Sequence, residues 1–536
     1  MKIQKGNLTF TLEEDIEKIE KEIKELNKLL DIIQDKAQYH ILAGKTQVNG
    51  KEEKREIRSR QEHSKNINEI ASKTIQKLYK ETVPEDIKQT QIYKLNLQKE
   101  LIYLEIMSLG HDLGHTPYGH AGERVLNDFV RKHQTNPEEI KKTIQKRTKI
   151  FGEKYELKQG HNKDFKGAIS FEHNEKSAEI AYNIIQESGL DLKQIDENRI
   201  IQGLLCHSTS RVKEKDVPQD LIIQMVRYTD KIEYNNYDYE EVKEYINIDE
   251  IKDEEIKEFA QKTLEQRTTE IIESIVEYAI EKGKIDSNIN KLKTMRNFGK
   301  IHGKAISVLD QDGKAGLVIN ENVERITLMI RKVLAYYITR IEETQEEKMR
   351  MVHPINELSP EKGQKIIIEP QNQDETDLEK VITFICNMDD NQLKQTYMRL
   401  VKSRIIQGQG YGIEPITPEE MEEVKKEQLK KQADKIKMKD LQEDEPQHSD
   451  DEYMQIVIDE NNKFIQNMLT DKGRQKMQES RIRHENEFEI DKKLNLLKKE
   501  ADEKRRLQGT LSVAEKVEFR KKIEGRWFWG RRKKLL

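Results

Sequence analysis

The chain has 536 residues, of which 36% are charged and only 35% are hydrophobic, so part of it should be solvated helix or tail rather than core. Leu, Ile, Lys, Glu and Gln are abundant while Gly and Pro are sparse, which favours an all-α protein. The 95 basic residues nearly balance the 100 acidic ones, so the net charge gives no indication of nucleic-acid binding.

The two cysteines, Cys206 and Cys386, lie far apart in the sequence, which excludes a disulfide scaffold and a zinc ribbon and favours a reducing compartment. The N-terminal sequence lacks the apolar run of a signal peptide. No window approaches the roughly 18 consecutive apolar residues of a membrane span. We therefore expect a cytoplasmic protein with no membrane partner.

Residues 1–36 are expected to form an N-terminal amphipathic helix with a heptad seam. Its apolar positions are separated alternately by four and three residues: Leu12, Ile16, Ile19, Ile23, Leu26, Leu30 and Ile33. This spacing is typical of a coiled coil. Because so few heptads are marginal for a free coiled coil, packing on the chain's own domain and self-association stay open as equal alternatives.

Residues 37–405 are expected to form one compact helical domain. Helical spacing is clear in one early segment, at Ile67, Ile70, Ala71, Thr74, Ile75 and Leu78. The run from Leu95 to Leu109 is apolar nearly all round, which predicts a buried central helix. The β-prone residues 316–320 predict at most a small hairpin.

The central helix leads into HDLGHTPYGHAGE, residues 111–123, which contains three histidines, an aspartate and a glutamate. Adjacent side chains such as His111 and Asp112 diverge by about 100° on a helix, so they can share an ion only where the backbone turns. The glycines and the proline of the segment favour such a turn. His120 and Glu123 should lie on one face of the next helix, where the carboxylate would make the histidine suited to proton transfer.

Two further candidates could complete a metal site. His63 lies in RSRQEHS, at the start of an amphipathic helix, and Asp230 begins DKIEYNNYD after an apolar stripe. Together with His111 and Asp112 they would place two imidazoles and two carboxylates around one divalent ion. This mixed set of ligands suits six-coordinate Mn, Fe, Co or Mg with open positions better than closed tetrahedral zinc.

The pattern H…HD…D in an all-α chain resembles the HD-domain metal-dependent phosphohydrolases, and more narrowly the deoxyguanosine triphosphate triphosphohydrolase family. In the family signature HD-hydrophobic-GH-x-P-F-G-H-x-G-E, only Tyr118 differs, since it stands in place of Phe. The resemblance covers residues 37–405 and implies an HD-domain helical bundle. The other matching motifs, in the family order, are KTQV (45–48), RSRQEHS (58–64), FEHN (171–174), the series Asp230, Tyr234 and Asp238, and FICNMDDNQLKQTYMRL (384–400).

The resemblance implies roles for the residues of the candidate centre. The implied metal ligands are His63, His111, Asp112 and Asp230. An acid–base pair at the scissile phosphate would be formed by His120, with Glu123 behind it. The two histidines implied to touch the phosphates or the leaving oxygen are His115 and His173.

The resemblance also implies a binding site for a deoxynucleoside triphosphate. Arg60 and Lys231 would neutralise the triphosphate, the first through its planar fork and the second as a point charge. The residues implied to define the deoxyribose are Gln47, Tyr234 and Asp238. Positions 230, 234 and 238 recur every fourth residue, so on a helix they would lie along one face.

The implied reaction converts a dGTP-like deoxynucleoside triphosphate into a deoxynucleoside and inorganic triphosphate. Water activated by the metal would attack the α-phosphorus while His120 protonates the departing 5′-oxygen. The setting would be control of the nucleotide pool or defence against phage. The family also implies a homo-oligomer.

One stretch departs from the family and leaves the nucleotide preference open. Before KTQV, relatives usually carry D-R-D-R-I-I-H-S and an Arg-Arg-Leu, whereas this chain has LDIIQDKAQYHILAG with no arginine. Two histidines outside the motifs are interpreted without a catalytic role: His207, in LLCHSTS, as structural or supporting, and His302 as having no functional role.

Two alternatives stay open. One is an HD phosphodiesterase or phosphatase that acts on another nucleotide; the sugar-binding residues Gln47, Tyr234 and Asp238 argue against it. The other is a nucleic-acid-binding or scaffold protein with an inactive HD site, and the complete set of ligands argues against that.

Residues 406–536 are expected to be a linker and a charged, partly disordered helical extension. Its end, RWFWGRRKKLL, would dock on its own domain or contact nucleic acid or a protein partner.

Overall fold

A computed structural model of the chain describes residues 1–45, 58–133, 137–152, 170–208, 214–243, 246, 248–309, 321–343, 351–352, 367–368, 376–407 and part of 417–433. The chain divides into two compact units, Met1–Gln466 and Asn467–Leu536, and every described residue belongs to the first. The predictions for Gln47, for the hairpin at 316–320 and for nearly all of the C-terminal extension therefore fall on residues outside the described part.

The predicted all-α class is confirmed, because the described chain is mainly helical. The helices are α1 (Ile16–Asp35), α2 (Ala37–Ile41), α3 (Arg60–Thr82), α4 (Glu85–Lys88), α5 (Gln91–Gly110), α6 (Gly119–His133), α7 (Pro137–Phe151), α8 (His173–Glu187), α9 (Glu197–Cys206), α10 (Leu221–Val242), α11 (Glu254–Gln261), α12 (Leu264–Lys282), α13 (Lys293–Leu309), α14 (Glu321–Glu343), α15 (Asp377–Cys386) and α16 (Asp390–Gln407). Two short antiparallel pairs supply the strands: β1 (Lys2–Lys5) with β2 (Leu8–Thr11), and β3 (Met351–Val352) with β4 (Ile367–Ile368). In the described part, no helix combines the length and apolar character needed to cross a membrane.

The heptad seam of α1 is covered from within the same chain. Ile19, Leu26 and Ile33 are buried in the main hydrophobic core, and α1 packs along α5. Leu30 is only partly buried against that core. Of the two alternatives for the seam, the structure therefore supports packing on the chain's own domain; self-association stays a prediction.

The predicted central helix is confirmed as α5, whose last two turns are almost entirely buried. Beside it, α3 begins with a capping box: Ser59 accepts from the backbone N–H of Glu62, and the Glu62 side chain accepts from that of Ser59. This cap fixes where α3 starts. It places Arg60 and His63 in the first turn, at the end of the helix that lies near the C-terminus of α5.

Two hydrophobic cores lie on either side of the HD segment. The larger contains residues from the β1–β2 hairpin and from α1, α3, α5 and α7 to α13; the smaller contains residues of α6, α14, α15 and α16. Leu113 belongs to the larger core, whereas Ala121 belongs to the smaller one and Tyr118 packs against it. The segment thus passes from one core to the other, and the candidate site lies at their junction.

Candidate active site

The HD segment turns sharply between α5 and α6, and close backbone contacts explain two of its glycines. A Cβ atom on Gly114 would lie 2.5 Å from the backbone nitrogen of Ser177. A Cβ atom on Gly122 would lie 2.2 Å from the carbonyl oxygen of Pro117. Neither position has room for a side chain, so these glycines allow the segment to fold tightly against α8 and against the start of α6.

Tyr118, the one departure from the family signature in this segment, has a structural role. Its φ of 58° lies in the left-handed region, which residues other than glycine rarely adopt. Its backbone N–H donates to the Asp390 carboxylate over 2.7 Å, and its hydroxyl donates to the Asp390 carbonyl oxygen over 3.0 Å. A phenylalanine could not form the second bond. Tyrosine therefore fastens the segment to the start of α16.

The four predicted metal ligands come together where α3, α5 and α10 meet. One donor atom from each of His63, His111 and Asp112 lies within 4.8 Å of the other two. Asp230 joins this group, with its Oδ1 3.1 Å from His63 Nε2 and 3.9 Å from His111 Nε2. The first three side chains are buried, whereas that of Asp230 is 24% exposed. The group is therefore accessible from the Asp230 side.

These donors fit a divalent metal ion. His111 donates from Nδ1 to the carbonyl oxygen of Ser108 over 2.7 Å, which leaves a lone pair on its Nε2. That Nε2 is buried and has no hydrogen-bond partner among the residues that the structure describes. Because an unpaired buried polar atom is costly, a metal ion at this point would satisfy an atom that the protein itself leaves unpaired. The buried cluster can thus hold a metal ion.

Glu233 is a neighbour of the candidate metal ligands that the sequence did not reveal. It is fully buried on α10 and accepts a hydrogen bond from Nδ1 of His63, which directs the opposite nitrogen of the imidazole towards the other ligands. Burial opposes protonation of His63, but Glu233 and Asp230 outweigh it and raise the pKa of the imidazole to about 9. Without a metal ion, the His63 imidazole is therefore protonated on both nitrogens and positively charged at neutral pH.

Arg60 lies beside the metal ligands. Its Nη1 is 2.6 Å from Oδ2 of Asp112, and both side chains are buried. Burial would raise the pKa of Asp112, but His111 and Arg60 hold it well below the usual range. The Nε and Nη2 atoms of Arg60 have no hydrogen-bond partner within the described part of the chain. Arg60 thus has N–H groups that can bind an anion next to the candidate metal ligands.

The two residues predicted to form an acid–base pair contact each other, and a third residue contacts the same carboxylate. His120 Nδ1 lies 2.9 Å from one carboxylate oxygen of Glu123, and His173 Nδ1 lies 2.9 Å from the other. Burial would raise the pKa of Glu123, but His173 and His120 hold it well below its ordinary value. The His120 side chain is 45% exposed although Glu123 is buried. His120 can therefore meet a substrate while Glu123 orients it.

His115 lies within the histidine cluster. Its ring stacks on that of His173 with the centroids 4.5 Å apart, and the side chain is fully buried. Neither ring nitrogen has a hydrogen-bond partner among the described residues. Burial, then Arg60 and His173, hold the pKa of His115 well below its ordinary value, so the ring is neutral. The predicted contact of His115 with phosphate stays a prediction.

Lys45, the first residue of KTQV, forms a hydrogen bond with the backbone of the HD segment. Its buried ammonium group donates to the carbonyl oxygen of His115 over 2.6 Å and also to that of Cys386. Burial lowers the pKa of Lys45 to about 8. The sequence marked this lysine only as part of a motif, because a single buried lysine gives no local signal of its partners.

His207, which the sequence left as structural or supporting, also points into the cluster. Its Nδ1 donates to the carbonyl oxygen of Leu204 over 2.7 Å, and its Nε2 lies 3.1 Å from that of His173. Its ring is 5.0 Å from the ring of His111, centroid to centroid. His207 therefore brings the metal ligands and the acid–base pair into one continuous group of imidazoles.

The predicted sugar-binding residues lie farther along α10. From position 230 to position 238 the helix rises by about 12 Å, a distance suited to an extended ligand. Asp238 is buried with its Oδ2 3.4 Å from Nε2 of His302, whose ring meets the Tyr234 ring edge-on at 5.1 Å. Lys231 is partly buried, and burial followed by Arg227 lowers its pKa. His302, to which the sequence assigned no function, is thus a neighbour of both Tyr234 and Asp238.

Comparison with known proteins gives a partial match. No family model matches the chain. A deoxyguanosinetriphosphate triphosphohydrolase-like protein of Clostridium perfringens (strain 13) is 25% identical over 251 residues, which cover 46% of this chain and 60% of the relative. The chain is loosely similar to this group of hydrolase-like proteins.

Two further relatives carry the same description. One, from Caldanaerobacter subterraneus subsp. tengcongensis, is 29% identical over 27% of this chain and 30% of its own length. The other, from Rickettsia bellii, is 56% identical over 39 residues, or 7% of this chain and 10% of the relative. Even in the longest of these alignments, the chain spans 60% of the length of the curated relative it matches.

Proposed function

We propose that this protein is a metal-dependent hydrolase that cleaves deoxynucleoside triphosphates, with dGTP as the first candidate, into a deoxynucleoside and inorganic triphosphate. The observation that carries the proposal is the meeting of two groups at one junction. His63, His111, Asp112 and Asp230 lie close enough together to hold a metal ion, and the His120–Glu123 pair lies in the same cluster of side chains. The description of the relatives supports the same substrate class.

The metal ligands and Arg60 would act on the phosphates. A bound divalent ion supplies charge neutralisation and lowers the pKa of a water molecule so that hydroxide is available near neutral pH. Arg60 already pairs with Asp112 through Nη1, and its other N–H groups would hold phosphate oxygens. Lys231, next to Asp230 on α10, would add a second positive charge. Positioning and charge neutralisation are the main requirements of phosphoryl transfer.

His120 would supply the proton that the leaving group needs. The oxygen of water would bond to the α-phosphorus with loss of a proton to the solvent, and the bond between that phosphorus and the 5′-oxygen would break. His120 would pass its proton to the departing 5′-oxygen and regain one from the solvent. Glu123 orients the imidazole through Nδ1 and stabilises its positive charge while both nitrogens are protonated. The partial exposure of His120 is consistent with direct contact with the substrate.

The far end of the α10 face would receive the nucleoside. Tyr234 offers a ring for stacking on the sugar, and Asp238 offers a carboxylate for the 3′-hydroxyl. Gln47, outside the described residues, keeps its predicted place beside the deoxyribose. The homo-oligomer, the partner of the C-terminal extension and the choice between nucleotide-pool control and phage defence stay predictions.

The proposal is tested by incubating the purified full chain with Mn²⁺ and each of the four dNTPs, alone and in pairs, and separating the products by anion-exchange chromatography. We expect a deoxynucleoside and triphosphate, with dGTP among the substrates. The Glu123→Gln variant should lose about 10²-fold or more in rate. The matched control is Glu17→Gln, which changes an exposed glutamate on α1 and should retain the rate.

Two outcomes would overturn the proposal. One is the absence of hydrolysis of any dNTP under all these conditions. The other is a product pair of deoxynucleoside monophosphate and pyrophosphate, which would place the cleavage at a different bond. Circular dichroism of each variant separates a chemical effect from a loss of folding.

A further inference from the structure

Arg58 is a buried cation beside the candidate metal centre, and the proposed function assigns it no role. It directly precedes Ser59, the residue that caps α3, and its side chain is only 7% exposed. Burying a guanidinium group is costly unless the group is paired, because it carries a permanent charge and five N–H donors. The contacts of Arg58 therefore indicate what this buried charge does.

Two side chains of α10 hold the guanidinium group of Arg58. Its Nη1 lies 3.3 Å from Oε1 of Glu233, and its Cζ lies 4.5 Å from the centre of the Tyr237 ring. The ring stabilises the face of the cation, and the carboxylate neutralises its edge. Within the described part of the chain, Nε and Nη2 make no hydrogen bond. Glu233 is thus the carboxylate that compensates the buried charge.

Glu233 uses its two oxygens for different partners. Its Oε2 accepts from Nδ1 of His63, whereas its Oε1 accepts from Nδ2 of Asn66 over 3.1 Å and lies beside Arg58. Because Glu233 is fully buried, its orientation depends on these protein partners and not on solvent. Arg58 and Asn66 fix the position of Oε1, and this directs Oε2 towards His63.

The carboxylate in turn determines which nitrogen of His63 faces the other candidate ligands. A carboxylate only accepts, so it holds the N–H at Nδ1 and directs Nε2 towards Asp230, whose Oδ1 is 3.1 Å away. We propose that Arg58 is a positioning residue for the candidate metal centre and acts on the bound ion through Glu233 and His63. This inference rests on the metal site of the proposed function and adds to it a residue that the motifs leave without a role.

Charge and position make opposite predictions for the removal of Arg58. A cation near the centre repels a metal ion, so the loss of its charge alone should strengthen metal binding. The loss of its hold on Glu233 should weaken metal binding, because residues that orient a ligand usually contribute about 10–100-fold to the affinity. The direction of the change therefore separates the two roles.

The test is a calorimetric titration of the chelator-stripped full chain with Mn²⁺ in the absence of nucleotide. In Arg58→Met, which keeps a long side chain without the charge, we expect the Kd for Mn²⁺ to rise about tenfold. In a Glu233→Gln background the same substitution should not raise the Kd further, because the carboxylate that Arg58 positions is already absent. The matched control is Arg325→Met, which changes an exposed arginine on α14 and should keep the Kd of the unaltered chain.

Two outcomes would overturn the inference and leave the proposed function intact. One is an unchanged or lower Kd in Arg58→Met. The other is an equal rise of the Kd with and without Glu233, which indicates a general disturbance of the fold. If the unaltered chain binds no Mn²⁺, the proposed function fails and this inference fails with it.

A second variant decides the question if Arg58→Met does not fold, as judged by circular dichroism. Arg58→Lys keeps the charge but loses the planar group that lies on the Tyr237 ring. Its Kd for Mn²⁺ should still rise several-fold in the presence of Glu233 and should not rise in the Glu233→Gln background. A Kd equal to that of the unaltered chain would overturn the positioning role of the guanidinium group.

Discussion

The candidate site has two halves that differ in their exposure. The metal half, His63, His111, Asp112 and Asp230, is carried by α3, by α10 and by the C-terminal end of α5, all anchored in the larger core. The acid–base half takes His120 and Glu123 from α6, which belongs to the smaller core, and His173 from the start of α8, which belongs to the larger core. The most exposed side chain of the metal half, Asp230, is 24% exposed, whereas that of the acid–base half, His120, is 45% exposed.

This difference fits the role that we propose for each half. Metal ligands must keep fixed positions, and burial among charged partners fixes them. A proton donor must instead reach the substrate, so one imidazole projects from the cluster while the carboxylate behind it stays buried. We therefore expect mutations in the metal half to change metal binding and mutations in the acid–base half to change turnover alone.

The largest effect should come from Asp112→Asn, because the Asp112 carboxylate is both a proposed metal ligand and the partner of Arg60. We expect the rate of dNTP hydrolysis to fall by roughly 10³-fold or more, because several kcal/mol of transition-state stabilisation depend on the ion. The metal content of the purified variant should fall with it. If this variant kept full metal occupancy and normal turnover, Asp112 would not be a metal ligand.

The next effect should come from His120→Asn in the acid–base half. Turnover should fall by about 10²–10⁴-fold, the usual contribution of a general acid. The Kd for Mn²⁺, measured by calorimetry, should stay within about twofold, because His120 is not among the metal ligands. A large loss of Mn²⁺ affinity in this variant would break the distinction between the halves.

The third effect is the pH dependence of stability in the metal-free protein. Because the pKa of His63 is raised from 6.5 to about 9 in the folded state, its stabilising contribution is complete below pH 6.5 and is lost as the pH rises through 9. The free energy of unfolding of the unaltered protein, minus that of His63→Gln, should decrease by roughly 3 kcal/mol from about pH 6 to about pH 10. Urea denaturation of both proteins at several pH values measures it. If the free energies of unfolding of the two proteins changed in parallel with pH, His63 would not be paired and protonated in the folded state.

The smallest effect should come from Glu233→Gln, which keeps the size of the side chain but removes the carboxylate behind His63. Affinity for Mn²⁺ should fall by about 10–100-fold, the usual effect of altering a residue that orients a ligand. At saturating Mn²⁺ the turnover should recover to within a few-fold of the unaltered protein. Turnover that stays low at any Mn²⁺ concentration would instead indicate that Glu233 takes part in the reaction itself.

The sequence predicted those parts of the site that depend on local geometry. His111 and Asp112 at a turn, and His120 and Glu123 on one helical face, follow from spacing within a single segment. Glu233 and His207 gave no such signal, since their importance comes from packing against His63 and His173, which lie far away in the sequence. Local spacing cannot reveal a contact between distant helices.

The fold divides in the same way. The all-α class and the central helix follow from composition and periodicity, whereas the partner of the α1 seam had to be seen in the structure. The β1–β2 hairpin was not predicted, although a weak signal is present: Leu8 and Phe10 alternate with polar residues after a Gly-Asn pair. Each strand has only four residues, so the alternation is too short to stand out beside the strong helical pattern that follows it.

The most direct test of the central claim is hydrolysis of dGTP by the Mn²⁺-loaded full chain in water enriched in heavy oxygen, with the label located by mass spectrometry. Attack at the α-phosphorus with departure of the 5′-oxygen predicts one heavy oxygen in triphosphate and none in deoxyguanosine. A label in deoxyguanosine, or a labelled monophosphate beside pyrophosphate, would contradict both the bond that breaks and the role of His120.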